Sequence, residues 1–247
     1  MARSKKQDVR ATLDVDLHIR RDIKPKTDNQ MKVWESFKED QNILIHGVAG
    51  TGKSFILLYL ALREMLNPRS SIDRVYVVRS IVPTRDIGFL PGDLEDKISV
   101  YSEPYRAIVA ELFPDVENAF DMLQLQQKML FVPTSYIRGL TIRNATVIVD
   151  ESQNLTFHEL DSIITRIGEN SKIMFAGDYR QSDLNRESEK AGLKRFMRIL
   201  DAMKDFDLVE MGIDDIVRSG LVRNYLIEKS KLEECENFDE QNKRLRS

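Results

Sequence analysis

Apolar residues along this chain fall into short blocks of two kinds that alternate. Asn42-Ile43-Leu44-Ile45-His46, Arg74-Val75-Tyr76-Val77-Val78-Arg79, Leu130-Phe131-Val132-Pro133, Ala145-Thr146-Val147-Ile148-Val149 and Lys172-Ile173-Met174-Phe175-Ala176 are apolar runs of strand length, and Asp207-Leu208-Val209-Glu210 is a shorter one between acidic residues. Runs of this kind predict strands buried on both faces of a sheet. Between them apolar positions recur at helical spacing. That predicts helices over about 31–39, 55–62, 97–112, 116–128, 156–166, 189–203 and 218–231. Strands alternating with helices predict an α/β fold: one domain with a mostly parallel sheet and helices on both faces. The expected divisions are a basic N-terminal extension over 1–25, the domain over 26–232, and a charged C-terminal tail over 233–247 that frays.

The turn after the first strand carries the chemistry. Gly47-Val48-Ala49-Gly50-Thr51-Gly52-Lys53-Ser54 reads G-x-x-x-x-G-K-[ST], between a strand run and a helical run. In that setting the pattern is a P-loop. Glycines let backbone N–H groups turn inward around a phosphate, and the helix N-terminus adds its positive dipole end. The expected nucleotide contacts are Gly47, Val48, Ala49, Gly50, Thr51, Gly52, Lys53, Ser54 and Phe55. Lys53 reaches the β- and γ-phosphates, and the Ser54 hydroxyl holds Mg²⁺.

Carboxylates that end a buried strand point toward the ligand crevice of a parallel sheet. Asp150 therefore suits a contact to Mg²⁺, and Glu151 suits polarising the attacking water. Gly177-Asp178-Tyr179-Arg180-Gln181-Ser182-Asp183 follows the next strand, where Gln181 is placed to sense the γ-phosphate. Gln30, in Thr27-Asp28-Asn29-Gln30, carries an amide able to match the adenine edge; Thr27 or Asn29 also suits a helix N-cap. Arg218, in Asp214-Asp215-Ile216-Val217-Arg218-Ser219, is either an arginine finger or a partner of Asp214 or Asp215. Arg79, Arg85, Arg138, Arg143, Arg166 and Arg180 fall in expected loops at strand ends. Tyr136 beside Arg138 offers a stacking ring next to a phosphate contact, which suits a single strand.

Composition narrows the class. The chain has 247 residues, with 37 basic and 40 acidic side chains and a net charge of -3. Bulk charge therefore does not mark a nucleic-acid binder. Cys235 is the only cysteine, which excludes an intrachain disulfide framework and fits a reducing cytoplasm. His18, His46 and His158 lie too far apart for ligand spacing. No apolar run approaches membrane-helix length, and no apolar segment follows the polar start as a signal peptide would require.

The motifs taken in order resemble the PhoH-like P-loop ATPases, whose core is similar to the first RecA-like domain of superfamily 1 helicases. The resemblance runs from about Thr27 to Val222. It rests on Thr27-Asp28-Asn29-Gln30, Gly47 to Ser54, Gly88-Phe89-Leu90-Pro91-Gly92-Asp93, Tyr136-Ile137-Arg138-Gly139, Asp150-Glu151-Ser152-Gln153-Asn154, Thr165-Arg166-Ile167-Gly168, Gly177 to Asp183 and Asp215-Ile216-Val217-Arg218. It implies a RecA-like fold, ATP and Mg²⁺ as cofactors, ATP hydrolysis, a homo-oligomeric and often hexameric ring, and a link to RNA or single-stranded DNA. Leu140 stands where the family usually has a second arginine, Asp86-Ile87 replaces an acidic-leucine lead, and Ser54 replaces the commoner threonine.

The expected function is a cytoplasmic Mg²⁺-dependent ATPase, coupled in helicase-like fashion to a single strand. Lys53, Glu151, Gln181 and Arg218 are its catalytic residues, Ser54 and Asp150 its metal ligands, and Arg79, Tyr136, Arg138 and Arg166 its nucleic-acid contacts. The alternatives are a nucleotide-gated binding module without motor activity, or an NTP-dependent kinase. A lone RecA-like domain would leave the γ-phosphate open to solvent. A head-to-tail ring would then let a neighbour lend Arg218, or failing that Arg166.

Overall fold

The six apolar runs pair into one sheet, and every neighbouring pair is parallel. The computed structural model describes residues 17–20, 22–80, 94–179 and 187–245, with side chains described over 17–20, 22–80, 100–179 and 189–232. Most of the expected N-terminal extension, the Gly88–Asp93 loop, Arg85, Arg180 and Gln181 lie outside the described residues. The elements are α1 (Asp28–Lys38), β1 (Asn42–Gly47), α2 (Lys53–Met65), β2 (Arg74–Arg79), α3 (Leu94–Leu112), α4 (Ala119–Leu125), β3 (Met129–Pro133), β4 (Ala145–Val149), α5 (Phe157–Ile164), β5 (Lys172–Gly177), α6 (Glu187–Asp201), β6 (Phe206–Met211) and α7 (Gly220–Leu245). The strand order is β3-β2-β4-β5-β1-β6.

Alternation along the strands sorts the core into two layers, because successive side chains point to opposite faces. Ile43 and Ile45 of β1, Ile148 of β4, and Met174 and Ala176 of β5 join one cluster with α1, α2, α3 and α4. Leu44, Val147, Val149, Ile173 and Phe175 join the other, with α5 and α6. The expected α/β sheet with helices on both faces is borne out. The central strands were the most legible, because β4 and β5 are buried along their whole length and nearly every position is apolar.

Helix ends moved where capping decides them. Expected from residue 31, α1 begins at Asp28, because the Thr27 hydroxyl accepts from the Gln30 N–H and caps it. Helix α5 starts on a reciprocal capping box between Thr156 and Glu159. Expected over about 218–231, the last helix runs Gly220–Leu245. Among the described residues, no helix is long and apolar enough to cross a membrane.

Strand order fixes where ligand chemistry gathers. Strand β5 lies between β1 and β4. The carboxyl end of β5 therefore opens between the P-loop, which follows β1, and Asp150, which follows β4. The three turns share one edge of the sheet.

Candidate nucleotide site

The loop after β1 is shaped by close approach to its neighbour strand. Gly47 has φ +127, and a Cβ there would stand 2.0 Å from Met211 O, so only glycine fits. Val48 N–H donates to Met211 O over 3.1 Å. The loop closes on itself through Thr51 Oγ1, which donates to Val48 O over 3.2 Å. Gly52 takes the left-handed conformation that starts α2. Lys53 Nζ donates to Gly47 O and Val48 O, each at 2.8 Å. Burial holds this ammonium below its ordinary value, against the opposing pull of Asp178, Asp150 and Glu151. Phe55 packs partly buried against the core beneath.

Across the edge, Asp150 is held by three donors. Its Oδ1 accepts from Ser54 Oγ and from Glu151 N–H, both at 3.0 Å. Its Oδ2 accepts from Tyr105 OH at 2.6 Å. Burial first, then the Asp150 charge, pushes the Tyr105 phenol well above its ordinary value, so it stays a donor. Glu151 adopts φ 51, a left-handed backbone that costs a residue with a Cβ about 1–2 kcal/mol. Gln153 spans two turns: its Nε2 donates to Glu151 Oε2 at 2.6 Å, and its Oε1 accepts from Asp178 N–H at 3.1 Å. Ser152 Oγ donates to Ala176 O at 2.9 Å and shares a 3.1 Å hydrogen bond with Tyr179 OH. Burial pushes the Tyr179 phenol up to about 12, with the Ser152 bond opposing.

Ser54 and Asp150 present hard oxygens side by side where α2 begins. Among the described residues, no group of three or more His, Cys, Asp or Glu gathers as a metal cluster. Such a site suits Mg²⁺, which takes one or two protein oxygens and completes its shell with water and substrate phosphates.

The sequence profile of the PhoH-like protein family matches residues 22–228. The chain belongs to the PhoH-like family. It is 34% identical over 202 residues to a PhoH-like protein of Synechocystis sp., covering 81% of this chain and 60% of that protein. Against protein PhoH of Escherichia coli (strain K12) it is 30% identical over 210 residues, covering 83% of this chain and 58% of that one. The chain thus spans about six-tenths of these relatives' length. Among solved structures, the large terminase of a thermophilic bacteriophage superposes with a TM-score of 0.50 at 12% identity, covering 81% of this chain and 48% of that one. That likeness speaks for the fold alone. Fold, loop and family agree on a P-loop domain of PhoH type with a RecA-like sheet.

The PhoH-like fold brings some candidates together and separates others. Gln30 is 4% exposed; its Nε2 donates to Thr51 O at 3.0 Å and its Oε1 accepts from Lys26 N–H at 2.8 Å. The amide is thus built into the back of the P-loop. Asp215 does not stand free for Arg218. Its oxygens accept from Thr27 Oγ1, from Asn29 Nδ2 at 2.8 Å and from Gly212 N–H at 2.8 Å. Arg218 lies against its own P-loop: Val217 N–H donates to Gly50 O at 3.1 Å, and a Cβ on Gly50 would come within 3.2 Å of Arg218 Cγ.

The arginines expected at one set of strand ends divide between two edges. Arg79 ends β2 opposite Pro133, directly before the turn that holds Tyr136, and Arg138 follows two residues on. That corner shares the P-loop edge. Four strand spacings separate β1 from β3, about 19 Å. Arg143 and Arg166 sit at the opposite edge, where Ile142 bridges Ile167 ahead of β4 and β5. The five residues of β4 set them about 17 Å below Asp150. This corrects the expected clustering, and Arg166 cannot reach its own chain's nucleotide. Sequence reasoning gave no role to Tyr105, Gln153 or Asp178. Gln153 stood inside a quoted motif, whereas Tyr105 carries no signal beyond being an aromatic residue in a helix.

Proposed function

We propose that this PhoH-like domain binds and hydrolyses ATP with Mg²⁺ and couples the cycle to a single strand of RNA or DNA. The observation that carries the reading is the hydrogen bond from Ser54 to Asp150, beside a Glu151 oriented by Gln153. P-loop N–H groups and Lys53 hold the phosphates, with Lys53 exchanging its two loop carbonyls for phosphate oxygens. Ser54 and Asp150 hold Mg²⁺, which when bound neutralises charge that develops on the β- and γ-oxygens. Glu151 orients the attacking water through Oε1, its Oε2 being engaged by Gln153. Gln181 follows the β5 turn and senses the γ-phosphate.

Arg218 serves its own nucleotide in this reading, because its segment is tied to Gly50 of the same chain. A ring is then not needed to deliver an arginine; mass in solution with ATP and Mg²⁺ tests assembly separately. Gln30 braces Thr51 with one amide N–H and accepts from Lys26 with one lone pair; its second N–H and second lone pair are the groups that select adenine. Arg79, Tyr136 and Arg138 form the strand-binding corner. Tyr136 is 56% exposed there, as a stacking ring must be. The test is the ATPase rate with and without single-stranded RNA and DNA across a salt series. Stimulation that fades as salt rises supports the coupling. No binding and no stimulation at low salt overturns it.

A further inference from the structure

The buried phenol of Tyr105 has no part in the scheme above, yet it touches the centre of it. Tyr105 lies on α3, 2% exposed, with its ring tilted against Phe131 at 5.6 Å. A phenylalanine would fill that space as well. Burying an unpaired hydroxyl would cost about 1–3 kcal/mol, so the oxygen is tolerated because it is paired. Its partner is Asp150 Oδ2, at 2.6 Å.

The geometry divides the Asp150 carboxylate between two duties. Oδ1 faces Ser54 and the turn of Glu151, both at 3.0 Å. Oδ2 is taken by a donor from another element. Rotation of the carboxylate about its last torsion would break these bonds together. The donor is also neutral. A lysine or arginine would grip the carboxylate and cancel the charge a cation needs; a phenol holds it and leaves the charge in place. One turn earlier on the same helix, the Tyr101 ring lies 5.9 Å from the Arg79 guanidinium, which pins α3 to this edge at a second point.

We infer that Tyr105 is a positioning residue for the Mg²⁺ side of the nucleotide site, fixing Asp150 so that Oδ1 and Ser54 Oγ are presented together. The inference rests on the assignment of Ser54 and Asp150 to Mg²⁺. The test is binding of a fluorescent ADP analogue to the full chain as a function of free Mg²⁺, a readout without turnover. Tyr105→Phe should raise the half-saturating Mg²⁺ concentration about 10- to 100-fold, the usual effect of losing a partner of a metal ligand. Affinity without Mg²⁺ should be unchanged. In an Asp150→Ala background the same substitution should add nothing. Tyr105→Met removes the phenol with an adaptable side chain, and supplies the comparison if the phenylalanine variant does not fold. A wild-type Mg²⁺ curve in the variant overturns the inference, as does an equal loss of affinity with and without Mg²⁺. Mg²⁺-independent binding by the wild type overturns the assignment of Ser54 and Asp150, and the inference with it.

Discussion

Gln153 donates to Glu151 through a 2.6 Å hydrogen bond, and the same amide accepts from Asp178 N–H at the end of β5. One buried side chain therefore couples Glu151, which we propose orients water, to the turn that ends β5. Glu151 sits on a left-handed backbone, so its direction depends on such support. Gln153→Ala should lower kcat by up to about 100-fold, the cost of a misplaced reacting group, with little change in KM. Steady-state kinetics check this; an equal rise in KM with kcat unchanged would place Gln153 in binding instead.

Gly177 supplies an independent probe of that contact. A Cβ there would stand 2.8 Å from both Gln153 Oε1 and Ser152 Oγ. Gly177→Ala should displace the Gln153 amide and reproduce the kinetic loss of Gln153→Ala. The double variant should lose less than the sum of the two single losses, since both disturb the Gln153 amide, while the clash with Ser152 Oγ is particular to Gly177→Ala.

Lys53 gives a pH-dependent prediction. Burial lowers its folded-state value below the ordinary 10.5. Between the lowered value and 10.5 the unfolded chain binds more protons at this site than the folded one, so stability from this group rises with pH across that window. Below the window the full cost of the buried cation is present. Lys53→Met removes that cost. The melting temperature of the variant minus that of the wild type should therefore be largest near neutral pH and shrink as pH approaches 10.5. A difference that widens toward high pH would reverse the sign and refute the argument.

How Arg218 acts is decided by mixing two inactive proteins. Loss of an arginine finger costs roughly 10³–10⁵ in rate, so Arg218→Ala should be nearly inactive. With Arg218 held beside Gly50 of its own chain, mixing Arg218→Ala with Lys53→Ala should restore nothing, even where subunits exchange. Recovered activity in the mixture would show that the arginine crosses between subunits.

Much of this site was legible because it is local. The P-loop is eight consecutive residues, and Asp150 follows an apolar run. What the chain brings together from far apart was not legible. Tyr105 meets Asp150 across a separation of 45 residues, and Asn29 meets Asp215 across 186. Neither contact leaves a periodic trace. Arg166 was a different failure. It follows a helix and precedes a strand, and in a parallel sheet such a turn lies at the amino edge, away from the ligand. Reading that parity would have separated Arg166 from Arg79 and Tyr136. Thr27 was legible as one of two cap candidates, and its hydroxyl sets the start of α1 three residues ahead of the weak periodicity.

We propose above all that the loop from Gly47 to Ser54 binds ATP for hydrolysis. Phosphate release from ATP with Mg²⁺, by purified wild type and by Lys53→Ala shown to be folded from its circular dichroism, tests it most directly. Turnover by the wild type and none above background in the variant is the expected result. Equal turnover by the two proteins, or none by the wild type with or without a single strand present, would contradict it.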